Sequence, residues 1–316
     1  MTDSGMTAAP IVVVGAPLAL GGWLPGHEPA VAGMTTAPAE LRAHGLLAKV
    51  AHGIGDGIVL ADAGDVSIQP AMRQDWDRRA KNRTLIAAEL PRIRDRLADA
   101  LGSADPDARL LLIGGECTVH TAALAALRRR RPEGRIALAW FDAHGDFNTP
   151  ETTPSGNVWG MPFAMACGRG DSDLLGACDA PTVREEDCVL LGGQMLDEEE
   201  ARRVAASRIA HFGPGMLSTE AGLSALGAWA TVVARSVDGF YVAVDHDCLD
   251  AAGGWAVTLP EPDGMSLQTA IAAIGVLRDA APIFGYGATT ISLGNGDAAR
   301  TVEAAAALAL AALGRA

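Results

Sequence analysis

The chain has 316 residues, 49% of them hydrophobic, and a formal net charge of −13 at pH 7. That acidic balance argues against nucleic acid or an anionic membrane as partner, and no apolar run is long enough to span a bilayer. The first ten residues form no signal peptide, and the 5 cysteines lack paired spacing. A reducing, cytoplasmic setting is therefore expected.

With no Pro/Ser linker, repeat or low-complexity tract, residues 1–316 read as one domain. Ile11-Val12-Val13-Val14 is a buried strand that ends in the turn Gly15-Ala16-Pro17, and residues 21–38 form a long Gly/Pro-rich loop. Pro38 opens a helix through Arg42. Residues 81–101 form an amphipathic helix, with Leu85, Ile86, Leu90, Ile93, Leu97 and Leu101 at near-helical spacing. Arg109–Ile113 is a strand, Gly114-Gly115 turn the chain, and Thr118–Arg128 continue as helix. The run Arg128–Arg131 reads as a solvated helix terminus, where cations suit the dipole. Further strands are expected at 136–141, 188–192, 240–244 and 288–293, and a helix at 298–313. Strands alternating with helices predict an α/β fold whose mostly parallel sheet is covered on both faces.

Two strand ends carry the chemistry. After Trp140-Phe141, the residues Asp142, His144 and Asp146 alternate with Ala143 and Gly145, and in extended backbone they share one face. After Val244, Asp245 and Asp247 share a face opposite His246. Open α/β sheets place ligands at the carboxyl ends of their strands. Four carboxylates and an imidazole converging there suit two hard or borderline divalent cations. Such a pair, ~3.5–4 Å apart, activates a bridging hydroxide at neutral pH.

Gly114-Gly115-Glu116-Cys117-Thr118, Asp142-Ala143-His144-Gly145-Asp146-Phe147-Asn148 and Asp245-His246-Asp247-Cys248-Leu249-Asp250 together resemble, in order and spacing, the signature motifs of the arginase/agmatinase (ureohydrolase) family. The likeness extends to the first strand and the helix at Pro38, and so covers nearly the whole chain. It implies a three-layer α/β/α fold with a central, mostly parallel sheet. It also implies hydrolysis of a guanidino or related linear C–N bond with two divalent ions, Mn²⁺ by family habit. By position, Asp142 and Asp245 would bridge both ions, Asp146 would bind the first, and His144 and Asp247 the second. Asp146, Asp142 and Asp245 would then be the catalytic acids, Asp146 holding the attacking hydroxide.

The family's remaining ligand, a His, is here Cys117, whose softer thiolate would shift preference towards zinc or iron. His120, one turn on, reads as a packed helix residue. The other cysteines, Cys167, Cys178, Cys188 and Cys248, read as packing residues. In the loop resembling the arginase α-carboxylate site, Asn148, Thr153, Ser155 and Asn157 would supply donors, and Asp197 would receive an α-amino group. The family's proton-shuttling His is replaced by Trp159, which cannot titrate. Its guanidinium-binding Glu is replaced by Thr290. The segment Leu259-Pro260-Glu261-Pro262-Asp263-Gly264 resembles the family's Pro-Glu-Pro loop with its small residues lost. The family's usual assembly, a homo-oligomeric trimer or hexamer, is implied as well.

Three readings stand at this point. The first is a divergent binuclear hydrolase that cleaves a guanidino, hydroxyguanidino or amidino C–N bond of a small amino-acid-like substrate. The second is an ordinary arginase or agmatinase releasing urea. The third is a catalytically silent member that acts as a binding or regulatory subunit.

Overall fold

The computed structural model describes residues 8–55, 57–69, 75 and 77–314. Among them, eight parallel strands form one sheet in the order β2-β1-β3-β8-β7-β4-β5-β6. In chain order the first stretch runs β1 (Ala8–Ala16), α1 (Glu28–Gly33), α2 (Ala37–Ala43), α3 (Leu46–Ile54), β2 (Ile58–Asp65), α4 (Arg83–Gly102), β3 (Arg109–Gly114), α5 (Val119–Arg130) and β4 (Ile136–Asp142). Then follow α6 (Pro162–Ala166), α7 (Ser172–Ala177), β5 (Cys188–Gly192), α8 (Glu198–Ala206), β6 (Ala210–Phe212), α9 (Pro214–Leu217) and α10 (Glu220–Val233). The chain closes with β7 (Gly239–Asp245), α11 (Leu267–Ala280), β8 (Ile283–Thr289) and α12 (Ala298–Leu313).

The central strands are apolar throughout because successive side chains feed opposite faces, and both faces are buried. In β4, Ala137, Ala139 and Phe141 join one core with α3, α10, α11 and α12. Ile136, Leu138 and Trp140 join the other, with α4, α5, α6 and α7. This is the expected three-layer α/β/α arrangement. Its consequence for function is directional. All strands are parallel, so β3, β8, β7 and β4, neighbours in the sheet, open their carboxyl ends on one edge.

Several expected elements shift. The loop 21–38 contains α1, and the strand expected at 288–293 lies earlier, because β8 ends at Thr289 and Thr290 turns the chain at φ +60°. Two glycines hid the true β8 from a hydrophobic reading. A Cβ on Gly287 would lie 2.5 Å from the Tyr241 hydroxyl and 2.6 Å from the His120 ring, so the space is already taken. The edge strands β2 and β6 and the helices α8, α10 and α11 were not expected. The Arg128–Arg131 run is a clamp rather than a merely solvated end. Arg129 pairs with Asp95 at 2.8 Å and Asp179 at 2.9 Å, Arg130 donates to the carbonyls of Leu101 and Asp105, and Arg131 lies 3.8 Å over the Phe284 ring.

Candidate metal centre

β4 ends at Asp142, whose two oxygens are already engaged. Oδ2 accepts from the Trp140 indole at 2.9 Å and Oδ1 from the His144 amide at 2.7 Å. The chain does not stay extended beyond this point, as the alternation predicted. It turns, and Asp146 sits in the left-handed region at φ +48°, which Asp tolerates better than most residues. The Asp146 carbonyl accepts the amides of Phe163 and Ala164 at the start of α6, at 3.0 and 3.1 Å. Asp142, His144 and Asp146 are therefore gathered by a turn buttressed by a helix rather than by strand pleat.

β7 ends at Asp245, followed by a tight turn over His246–Cys248. Asp245 Oδ1 accepts the Asp247 amide at 3.1 Å and the Thr290 hydroxyl. Asp247 Oδ1 accepts the Ala143 amide at 3.2 Å, which ties the β7 turn to the β4 turn. His246 is fully buried; burial lowers its pKa to about 4, against backbone contacts at Thr289 and Val244 that raise it. The neighbouring β5 ends at Gly192 with φ +118°, where a Cβ would lie 2.1 Å from the Asp142 carbonyl oxygen.

The donor atoms of Asp142, His144 and Asp247 lie within 4.8 Å of one another, the one cluster of that tightness among the described residues. His144 Nδ1 is 3.3 Å from both Asp142 Oδ1 and Asp247 Oδ2, and its Nε2 is 3.5 Å from Glu261 Oε1. A carboxylate on the far nitrogen fixes the ring, the usual support of a ligating imidazole. Cys117, Asp146, Asp245 and Asp247 line the same ≈ 140 Å³ cavity as His144. Cys117 Sγ donates to the Trp159 carbonyl at 3.0 Å.

Burial, then mutual repulsion, raises the pKa of Asp146 and Asp245 well above the carboxylate range, and that of Asp247 to a lesser degree. Burial and the surrounding acids also hold Cys117 as a thiol. Burial opposes protonation of His144, but Asp247 and Asp142 outweigh it and raise its pKa well above 6.5. Asp142 is also pushed up by burial, yet its His144 and Trp140 donors keep it below 3.8. Asp146 Oδ2 is buried without a hydrogen-bond partner. A crowd of carboxylates with an open oxygen, one imidazole and one thiol fits a pair of divalent cations, which would relieve the repulsion.

This gives a signed pH dependence. Asp146, Asp245 and His144 bind protons more tightly folded than unfolded, so their contribution to stability is lost as pH rises through the folded values. Buried Glu116 and Glu200, each raised to about 7 by burial, act in the same direction between 4.5 and 7. His120 and His246, lowered by burial to about 3 and about 4, oppose this only below their ordinary 6.5. Above pH 6.5 the metal-free protein is expected to lose stability as pH rises, and the loaded protein much less. Melting curves at several pH values with chelator and with Mn²⁺ test this; parallel profiles would contradict the cation site.

On the other side of the cavity, Asn148 Nδ2 donates to Asp197 Oδ2 at 3.1 Å and to Glu200 Oε1 at 3.3 Å. Asp197 caps α8 and forms a capping box with Glu200. Thr153, Ser155 and Trp159 line the same space. Asn157 is not among the described residues lining the cavity. Its Oδ1 accepts from the Trp23 amide at 3.2 Å and Lys81 Nζ at 2.9 Å, and its Nδ2 donates to the Trp23 carbonyl at 3.3 Å, so it holds the Trp23 loop. Thr290 reaches the cavity, but its hydroxyl is committed to Asp245 and to the Thr289 carbonyl at 2.8 Å.

Glu200, Glu261 and the buried Glu116, whose Oε2 accepts the Gly21 amide at 2.7 Å, had no assigned role in the sequence. The spacing Asp197-Glu198-Glu199-Glu200 is a capping-box signature and marks Glu200 in retrospect. His120 is packed, bonded to the Tyr241 hydroxyl at 2.8 Å and to Thr289 Oγ1 at 3.1 Å. All five cysteines are free, Cys167 half-buried and the rest buried.

The arginase family model matches residues 9–314. The arginase of Bacillus caldovelox is 27% identical over 276 residues, covering 86% of this chain and 87% of that protein. The arginase of Bacillus subtilis is 27% identical over 273 residues, covering 85% and 86%. The crystal structure of arginase from Bacillus cereus superposes with a TM-score of 0.82 at 25% identity, covering 97% of this chain and 99% of that one. The fold is shared more distantly with formimidoylglutamase from Bacillus subtilis, at a TM-score of 0.74 and 18% identity over 98% of this chain and 87% of that one.

Proposed function

The chain belongs to the arginase family of linear C–N hydrolases, and from that premise we propose that it is a binuclear-metal hydrolase acting on an amino-acid-like substrate. The observation that carries this is one cavity that joins two poles. At one lie Cys117, His144, Asp146, Asp245 and Asp247, with Asp142 behind them; at the other lies the Asp197–Asn148–Glu200 group.

Asp142 and Asp245 would be shared by the two ions, with Cys117 and Asp146 completing one site and His144 and Asp247 the other. When bound, the ions supply an acidified water and polarise the bond to be cleaved. The chain's residues do the rest. Asp146 Oδ2, buried without a hydrogen-bond partner, accepts the proton of the attacking water and passes it to the departing nitrogen. Glu261 holds the His144 ring. Asp197 and Glu200, positioned by Asn148, take a cationic head group, while the Thr153 and Ser155 hydroxyls offer donors to its carboxylate. Trp159 walls the cavity and titrates nothing there.

By resemblance and composition we read the physiological ion as Mn²⁺, with zinc or iron admitted by Cys117. On the same grounds we read the whole chain as one domain, its assembly as a homo-oligomer and its setting as cytoplasmic. No described helix is long and apolar enough to cross a membrane.

Elemental analysis after reconstitution with Mn²⁺, Zn²⁺ or Fe²⁺ and desalting tests the centre. Close to two ions per chain are expected, with occupancy falling in Cys117→Ala. One ion or none under every condition would overturn the reading. A screen of amidine- and guanidine-bearing amino acids for hydrolysis then tests the activity.

A further inference from the structure

A string of hydrogen bonds runs through the apolar layer between α5 and the sheet. His120 of α5 is bonded to the Tyr241 hydroxyl through Nδ1 at 2.8 Å and to Thr289 Oγ1 through Nε2 at 3.1 Å. Thr289 Oγ1 in turn donates to the Val244 carbonyl at 3.2 Å. His120, Tyr241 and Thr289 are all fully buried. The bonding fixes a direction. The Thr289 hydroxyl has one proton, and the carbonyl can only accept it, so Thr289 Oγ1 accepts from His120 Nε2–H. A neutral ring then has a bare Nδ1, which accepts the Tyr241 proton. Burial keeps the ring neutral, lowering its pKa to about 3.

The string ends on the supports of the two acids assigned to both ions. Val244 immediately precedes Asp245 at the end of β7. Thr289 immediately precedes Thr290, whose hydroxyl donates to Asp245 Oδ1. The same imidazole meets Trp140 edge to face, with centroids 5.2 Å apart and planes at 77°, and the Trp140 indole donates to Asp142 Oδ2 at 2.9 Å. One ring therefore touches the residue that holds Asp142 and the neighbour of the residue that holds Asp245. Its neighbours in α5, Ala122, Ala123 and Leu124, are apolar and fully buried. An apolar residue would suit this core as well, because a buried hydrogen bond adds little net stability once desolvation is counted. What a satisfied polar string adds is a single orientation.

We propose that His120 is a positioning residue of the metal centre, holding Asp245 through Thr289 and Asp142 through Trp140. The inference rests on the binuclear reading above and deepens it.

Two variants break the string at different places. His120→Phe keeps a ring against Trp140 and loses both hydrogen bonds; Thr289→Val keeps the shape and loses the hydroxyl. Each is expected to bind Mn²⁺ about three- to tenfold more weakly, the scale set by one buried hydrogen bond. The double variant should lose no more than the weaker-binding single one, because one break already disconnects the string. Leu127→Ala, two turns along α5 and fully buried, is the control; it should lower the melting point and leave the affinity unchanged. Calorimetry is run at a temperature where every variant is folded, and Thr289→Val decides the matter where His120→Phe does not fold. Nitrogen NMR of the metal-free protein gives a second readout. It should find His120 protonated at Nε2 and bare at Nδ1, and Thr289→Val should lose that fixed tautomer.

Unchanged affinity in the folded single variants, additive losses in the double variant, or an equal loss in Leu127→Ala would each reduce His120 to a packing residue. So would the opposite tautomer. All four outcomes leave the two-ion reading standing as long as the wild-type protein holds two ions. A wild-type protein that holds fewer overturns that reading, and this inference with it.

Discussion

Asp245→Asn is expected to weaken metal binding by ~10²–10⁴-fold and to reduce turnover to background. Asp245 stands at the end of β7 between the two halves of the cluster, and one of its oxygens already holds the Asp247 amide and the Thr290 hydroxyl. Asparagine keeps an acceptor for both, so the local fold survives. What disappears is a buried negative charge at the position argued to serve both ions. Breaking a buried charge pair by removing one partner costs ~3–5 kcal/mol, which corresponds to a factor of ~10²–10⁴ in a dissociation constant. Calorimetric titration with Mn²⁺ reads the effect directly, and a melting curve of the chelated variant controls for unfolding. Two ions retained at wild-type affinity would remove Asp245 from the centre.

Gly192→Ala should be the most damaging single methyl in the sheet edge, at about 3 kcal/mol. The backbone at φ +118° is a region L-residues rarely adopt, and the new Cβ would sit 2.1 Å from the Asp142 carbonyl oxygen. That atom is part of the ladder, bonded by the Gly193 amide at 2.8 Å, and cannot yield without moving Asp142 itself. With ~2–4 °C per kcal/mol for a domain of somewhat smaller size, the melting point should fall by roughly 6–12 °C. Metal affinity should fall with it. Gly45→Ala is the control, since its φ of +83° is also positive but nothing lies within 4 Å of the added Cβ. Equal losses in the two variants would show that backbone strain alone, and not the collision with Asp142, sets the cost.

The central strands were legible because burial on both faces writes itself as uninterrupted apolar runs, as in Ile136–Phe141 and Phe240–Val244. The helix at 298–313 was legible because it is filled with alanine and leucine, strong helix formers; the structure adds Asp297 as its cap. The edge strand β6 carries no such run and β2 only the short Ile58–Ala61; their residues are half-exposed or exposed, so the pattern that marks a strand is diluted. Residue type and order named the candidate donors but not their geometry. Extended alternation predicted a shared face for Asp142, His144 and Asp146, whereas the chain reaches the same convergence through a left-handed Asp146. Asn157 has the right identity and sequence position for a substrate ligand, yet its amide is consumed by Trp23 and Lys81, a long-range pairing that local sequence does not encode. Resemblance put Thr290 at the position of the family's guanidinium-binding Glu, but its commitment to Asp245 could not be read from sequence.

Trp140 has a use beyond holding Asp142. Its indole N–H is hydrogen-bonded to a carboxylate of the centre, one face is stacked on Phe163 at 5.3 Å, and its edge meets His120 at 5.2 Å. The ring is buried, whereas Trp23 is exposed. The protein thus carries its own optical gauge. If ions fill the centre as proposed, charge arriving at Asp142 would change the field across the indole, and the emission component lost in Trp140→Phe is expected to shift on titration with Mn²⁺.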